Sequence, residues 1–226
     1  MDSKKLSLHV KNNLEYLVWL DQERKNLENI INAIQFIDRK FFVKDIESAY
    51  IDTALPIGYN QTISQPSTVA RMLMLANLTE NETVLELGSG SGWNGCLIAF
   101  LVYPGTVLSL DIVPQLVEQA CQNLKTLKMN LKHENRKRLE HIKFHSDNIL
   151  NKIDSWQNTY DKIIITAGIT KPQEGIIEKL ANELLKNQGI LICPYIHGPL
   201  IVLKKEEGKI KKETTVEQYV FVPLLE

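Results

Sequence analysis

The sequence predicts an α/β fold: a mostly parallel, seven-stranded, doubly wound sheet with a C-terminal antiparallel hairpin, preceded by N-terminal helices. Three observations carry the prediction. Residues 1–55 contain neither Gly nor Pro and space their apolar residues at helical intervals. From residue 83 onward, seven short β-rich apolar runs alternate with helical stretches. The first of these runs leads straight into a Gly-rich turn, the entry of a parallel strand–turn–helix crossover.

In chain order, Leu6, Val10, Leu14 and Leu17 predict one amphipathic helix, and Leu27, Ile30, Ile31 and Ile34 a second. Their expected role is packing against the main domain, with a lid over a substrate as the alternative. Residues 1–48 therefore read as a helical extension and 49–226 as the main domain. The strand candidates are 83–87, 106–110, 141–145, 162–166, 189–193, 200–203 and 219–222. Only the Lys- and Glu-rich stretch 204–217 separates the last two, with Gly208 as its turn residue, so 200–203 and 219–222 are expected to pair as an edge hairpin. The basic stretch 132–140 is interrupted by Glu134 and Glu140 and lacks aromatic residues, which reads as a solvated loop and not a nucleic-acid patch.

At 226 residues the chain suits one well-buried core. With 44% apolar residues, 23% charged residues and a net charge of -1, the composition excludes a disordered chain and argues against nucleic acid as the main partner. Cys96, Cys121 and Cys193 are far apart and form no C-x-x-C pair, so no disulfide framework or thiolate zinc site is expected; each sits among apolar neighbours and reads as a buried, inert thiol. Asp2, Lys4, Lys5, Lys11 and Glu15 break up the N-terminal apolar residues, leaving no signal-peptide core or membrane span. A cytoplasmic location and a monomer are the default expectations.

The strongest local signal is Val84-Leu85-Glu86-Leu87-Gly88-Ser89-Gly90-Ser91-Gly92, with a helix expected to start near Trp93. Glu86, Gly88, Ser89, Gly90 and Gly92 are candidate cofactor residues, because glycines allow positive φ and let a ligand approach the main chain. The next strand ends in Asp111 and Ile112, where the carboxylate is placed to accept from a ribose diol. Trp93 stands where a dinucleotide fingerprint wants its third glycine, which favours an adenosyl methyl donor without a pyrophosphate over NAD. After the third strand come Asp147 and Asn148, which alone read as a turn. Together with the other two strand ends they read as adenine contacts.

Residues 49–66 are AYIDTALPIGYNQTISQP. This string closely resembles the P-I-G-x-x-Q-T-I-S-x-P hallmark of protein-L-isoaspartate O-methyltransferases. The resemblance continues through VLELGSGSGW, VLSLDI, YDKIIITAG, Pro172, GILICP and FVPL, covering about residues 36–224. It implies a Rossmann-like domain, S-adenosylmethionine as donor with S-adenosylhomocysteine as product, and methyl transfer to the free α-carboxylate of L-isoaspartyl residues in damaged proteins. Ser64 takes the catalytic position, Thr62 and Ile63 position the substrate, and Gln65, Pro66, Ser67 and Thr68 join the cofactor residues. On the residues alone, Ser64 reads as a helix N-cap with Pro66 in the first turn. The chain departs from the family pattern at Asn148, Gly168, Gln188 and Leu225, and in lacking a Gln within 196–200.

A carboxylate acceptor is already ionised at neutral pH, so a hydroxyl that orients it suffices and no strong base is needed. Other chemistries fail on geometry. His141 and His145 lie roughly 13 Å apart on a strand, too far to share a metal ion, and no metal site is expected. No G-x-S-x-G elbow supports a hydrolase triad. Two alternatives stand: a methyltransferase for an ordinary aspartate in one dedicated peptide, and a catalytically silent cofactor-binding module. A nucleobase methylase lacks its polar-Pro-Pro-aromatic motif, since 166–169 are Thr-Ala-Gly-Ile.

Overall fold

The structure, a computed structural model, describes residues 2–155 and 159–225. Helix α1 (Ser3–Leu14) starts at Asp2, whose carboxylate accepts the Lys5 N–H at 2.9 Å, a side-chain N-cap. Helix α2 (Asp21–Phe36) starts where Glu23 accepts the Trp19 and Leu20 N–H groups at 2.8 and 3.0 Å. Leu6, Val10 and Leu14 of α1 and Leu27, Ile30 and Ile34 of α2 are buried in the same apolar cluster as sheet residues Val84, Ile164 and Ile192. Burial of each such side chain contributes about 1.5–3 kcal/mol, which holds both helices on the sheet layer.

Next comes a small hairpin that periodicity did not reveal, β1 (Leu55–Gly58) with β2 (Gln61–Ile63). Its turn residues Tyr59 and Asn60 both have positive φ, 54° and 55°, as a two-residue primed turn requires. Helix α3 (Pro66–Ala76) follows and is stopped by Asn77 in the left-handed region. Its N-cap is Gln65 and makes no side-chain capping bond, so Ser64 is not the cap that spacing suggested.

The sheet then builds in chain order: β3 (Thr83–Leu87), α4 (Trp93–Val102), β4 (Thr106–Asp111), α5 (Pro114–Asn130), α6 (His133–Lys137), β5 (Ile142–Ser146), β6 (Tyr160–Ile165), α7 (Glu174–Leu184) and β7 (Leu185–Pro194). After the short β8 (His197–Gly198) come β9 (Leu200–Glu206), β10 (Lys209–Thr214) and β11 (Tyr219–Val220). The seven-stranded order is β10-β9-β7-β6-β3-β4-β5, parallel from β7 to β5 and antiparallel through β9 and β10. Successive strand residues alternate between two cores: Val84 and Ile164 face one, Leu85 and Ile163 the other. The chain leaves β3 toward β4 but leaves β6 toward β7, so strand order reverses there and a crevice opens at their carboxyl ends.

The α/β class, the mostly parallel sheet and the N-terminal helices match the sequence prediction; several details do not. The edge hairpin pairs β9 with β10 about Glu207 and Gly208, both with positive φ, so the seventh strand is Lys209–Thr214 and not 219–222. Strand β10 is solvent-facing along most of its length and carries no apolar alternation, and main-chain pairing with the Lys204–Glu213 and Lys211–Glu206 ion pairs holds it. Residues 219–220 pair instead with β8 and lead the chain across the strand ends. The stretch 132–140 contains α6 in place of a loop, anchored by the buried Leu139. Cys96 and Cys193 are buried, and burial raises both thiols, but Cys121 is exposed on α5. Among the described residues no helix is long and apolar enough to cross a membrane, and no His, Cys, Asp and Glu cluster could hold a metal.

Candidate active site

The loop after β3 is shaped by its glycines and by main-chain donors. Gly88 has φ 94°, and a Cβ on it would lie 2.4 Å from Oγ1 of Thr166 at the end of the neighbouring β6. Thr166 Oγ1 in turn donates to the Gly88 carbonyl at 2.6 Å. The Gly90 N–H donates to Asp111 Oδ2 at 2.9 Å and the Val113 N–H to Asp111 Oδ1 at 3.0 Å, fixing the carboxylate at the end of β4. Each oxygen keeps a lone pair for a further donor. Ser89 Oγ is buried with no partner and lines the adjoining cavity.

Glu86 lies beneath this loop, fully buried, accepting from Ser109 Oγ and from Asn94 Nδ2. Burial pushes its carboxyl up to about 7, the Ser109 and Asn94 hydrogen bonds pull it back, and Asp111 adds to the rise. It lines neither crevice cavity and instead ties β3, β4 and α4 together.

Two cavities meet at the crevice. One, about 530 Å³, is lined by Gln61, Gly88, Asp111, Ile112, Val113, Asp147, Asn148, Ile149 and Leu150, and by Pro223–Leu225 of the crossing C-terminal segment. The other, about 600 Å³, is lined by Gln61–Ser64, Gly88–Ser91, Trp93, Asn94, Asp111, Thr166, Ala167 and Val222. Gln61, Gly88, Asp111 and Ala167 line both, so the two spaces adjoin at the strand ends. A third opening, a cleft of about 800 Å³, is lined by Ala54, Thr62, Ser64, Gln65, Thr68 and residues 218–222. Thr62, Ser64 and Val222 therefore form the wall between the second cavity and this cleft.

Asn148 Oδ1 accepts the Leu150 N–H at 3.1 Å and Asp147 Oδ1 accepts the Asn148 N–H at 2.8 Å, so the pair makes a turn and lines the cavity at once. Of the other residues proposed from sequence, Gln65 and Thr68 line the cleft, Pro66 is buried at the start of α3, and Ser67 donates its N–H to Asp52 Oδ1 at 2.8 Å. None of these four lines either crevice cavity, and neither does Gly92, which precedes α4 with φ 86°. Gly168, a departure from the family pattern, is needed because a Cβ would lie 2.6 Å from Ile196 Cα. Its N–H and carbonyl bond Val222 and Leu224, both at 2.7 Å, which seats the C-terminal segment over the crevice. Gln188, another departure, takes the left-handed conformation at φ 67°.

Sequence reasoning missed two residues that shape the 49–65 segment. Asp52 receives the Ser67 N–H, Asn13 Nδ2 at 3.1 Å and Gln65 Nε2 at 3.3 Å, capping α3 from outside. Arg39, with no solvent exposure, donates to carbonyls of that same segment. Burial lowers its guanidinium to about 10, with Asp52 pulling it back up, so it stays charged at neutral pH. The available signal was a charge inside the apolar run Phe36-Ile37-Asp38-Arg39-Lys40-Phe41-Phe42, which spacing cannot distinguish from a solvated turn.

The family model for protein-L-isoaspartate(D-aspartate) O-methyltransferase matches residues 12–226, reaching back beyond residue 36 through all of α2. The protein-L-isoaspartate O-methyltransferase 2 of Archaeoglobus fulgidus is 34% identical over 211 residues, covering 91% of this chain and 89% of the relative. The Pyrococcus abyssi protein-L-isoaspartate O-methyltransferase is 38% identical over 197 residues, covering 83% and 82%. A protein-L-isoaspartate O-methyltransferase structure from Plasmodium falciparum, in complex with S-adenosyl-L-homocysteine, superposes with a TM-score of 0.77 at 23% identity, covering 100% of this chain and 99% of that one, which establishes the shared fold.

Proposed function

The chain belongs to the protein-L-isoaspartate(D-aspartate) O-methyltransferase family, and from that premise we propose that it methylates the free α-carboxylate of L-isoaspartyl residues in damaged proteins at the wall formed by Thr62 and Ser64. The observation that carries this reading is that both residues face the crevice cavity on one side and the open cleft on the other. A donor group and an acceptor seated in the two spaces meet there.

S-adenosylmethionine supplies an electrophilic methyl group on a sulfonium, and the residues present fit it. Asp111 offers its remaining lone pairs to a ribose diol, Asp147 and Asn148 flank the adenine side, and the unpartnered Ser89 hydroxyl serves the polar end of the donor. The acceptor carboxylate arrives ionised, so Ser64 needs only to donate a hydrogen bond and hold one oxygen in line. Thr62, which lines the cleft, positions the peptide beside it, and the buried Ile63 backs that wall from the crevice side. Val69, Met72, Trp93 and Val222 supply apolar wall that keeps water from the second cavity, where a cation and an anion neutralise each other. Cytoplasmic residence, a monomeric enzyme and independence from nucleic acid and membrane belong to the same proposal, and the net charge of -1 supports the independence from nucleic acid.

The test is incorporation of labelled methyl into an isoaspartyl peptide and its normal-aspartyl twin. Base-labile label in the isoaspartyl peptide alone is the expected result. Equal labelling of both would favour a dedicated aspartyl methyltransferase, and donor binding without label in either would favour a silent binding module.

A further inference from the structure

The segment between residues 49 and 64 carries the acceptor wall yet has little ladder of its own. The Leu55–Gly58 and Gln61–Ile63 hairpin is its ladder, and outside it the Ile51 carbonyl accepts the Thr53 N–H at 2.9 Å, so the flanking carbonyls draw further partners from elsewhere. Arg39 supplies them. Nη1 donates to the carbonyls of Ala49 at 3.1 Å and Ile51 at 3.2 Å, and Nη2 to those of Thr53 at 2.8 Å and Ser64 at 3.1 Å. One planar group thus draws together the start and the end of the segment, and its last bond is to the main chain of Ser64 itself. The guanidinium also lies 5.4 Å from the ring centroid of Trp93, a wall residue of the crevice cavity. The Trp93 indole N–H is held by the Ile37 carbonyl at 2.9 Å, two residues before Arg39.

A purely structural need would be met more cheaply by an apolar side chain and a self-paired loop, because a buried charge costs free energy unless fully hydrogen-bonded. Four of the five guanidinium N–H groups match four carbonyls, a match a lysine ammonium with three donors cannot make, while Nε is buried without a partner. The same group touches both the acceptor wall and the donor wall.

We propose that Arg39 is a positioning residue for methyl transfer, bracketing residues 49–64 so that Ser64 is held in register with the donor cavity across Trp93. This rests on the reading of Ser64 given above. Loss of the bracket lets the Ser64 main chain drift, and a misplacement on the order of 1 Å costs about 100-fold in rate. Donor binding, which rests on Asp111 and the glycine loop, stays in place.

The experiment measures kcat and KM for an isoaspartyl peptide, together with calorimetric S-adenosylhomocysteine affinity, in Ser64→Ala, Arg39→Lys and Arg39→Ala, the last with and without guanidinium ion at millimolar, non-denaturing concentration. The expected result is about 100-fold lower kcat in both Arg39 variants, unchanged product affinity, and partial recovery of kcat in Arg39→Ala when guanidinium is added. Wild-type kcat in Arg39→Lys, or product affinity falling in step with kcat without guanidinium recovery, overturns the proposal while leaving a slow Ser64→Ala, and the function, intact. Full turnover in Ser64→Ala overturns the reading of the wall and this inference with it.

Discussion

The proposed donor side and the proposed acceptor side of the crevice are built by opposite means. On the donor side the chain shapes itself: Gly88 and Gly90 turn back from β3, and the N–H groups of Gly90 and Val113 fix Asp111 one strand away. On the acceptor side the 49–65 segment is braced from outside, by Arg39 holding its carbonyls and by the Ser67 N–H and Asn13 holding its own Asp52, which Gln65 also meets. A self-shaped loop depends on backbone conformation; a braced one depends on distant side chains. Substitutions on the first side should therefore act on donor affinity, and those on the second on turnover.

The largest expected effect sharpens the contrast through pH. Glu86, under the donor loop, holds its proton to about pH 7, while the unfolded chain releases it near 4.5. Its contribution is fully present below pH 4.5 and is lost as pH rises through 7, by about 3 kcal/mol, so urea midpoints of the wild type should fall across that window. Glu86→Gln should flatten this slope. A wild-type slope preserved in Glu86→Gln would remove the titrating group from the donor side. Arg39, the buried charge of the acceptor side, is lowered only to about 10 and contributes no slope there.

Gly88→Ala combines a φ of 94° with a Cβ 2.4 Å from Thr166 Oγ1, and should weaken S-adenosylhomocysteine binding roughly 50-fold by calorimetry. Binding at wild-type strength would mean that the loop is not self-shaped. Asp111→Asn keeps one acceptor oxygen and loses the charge, for about 10-fold in the same assay with kcat at saturating donor little changed. Asn13→Ala removes only one of the bonds to Asp52 and should cost about 1 kcal/mol of stability or less in chemical denaturation. A larger loss would make α1 more than a brace.

The same contrast explains what could be read from the sequence. The donor side was legible because a self-shaped loop writes its geometry into adjacent residues: Gly88, Gly90, Asp111 and Asn148 were all marked by position after a strand, and all line the cavities. The acceptor string was legible as a string, and Ser64 with it, but its support was not. Arg39 is separated by 25 residues from the Ser64 carbonyl it holds, and no local pattern records that pairing. Strand β10 escaped because a strand exposed on both faces needs no apolar period, and the β1–β2 hairpin because Leu55–Gly58 and Gln61–Ile63 are too short for one. Cys121 read as buried from apolar neighbours in sequence, whereas helix geometry turns it outward while its neighbour Ala120 is buried.

The central claim is that one wall, Thr62 to Ser64, separates donor from acceptor. Steady-state turnover of Ser64→Ala on an isoaspartyl peptide, measured beside its S-adenosylhomocysteine affinity, tests it most directly. A roughly 10- to 100-fold drop in kcat with unchanged product affinity is predicted, the worth of one hydrogen bond to a carboxylate. Unchanged turnover, or affinity that falls as far as kcat, would contradict it.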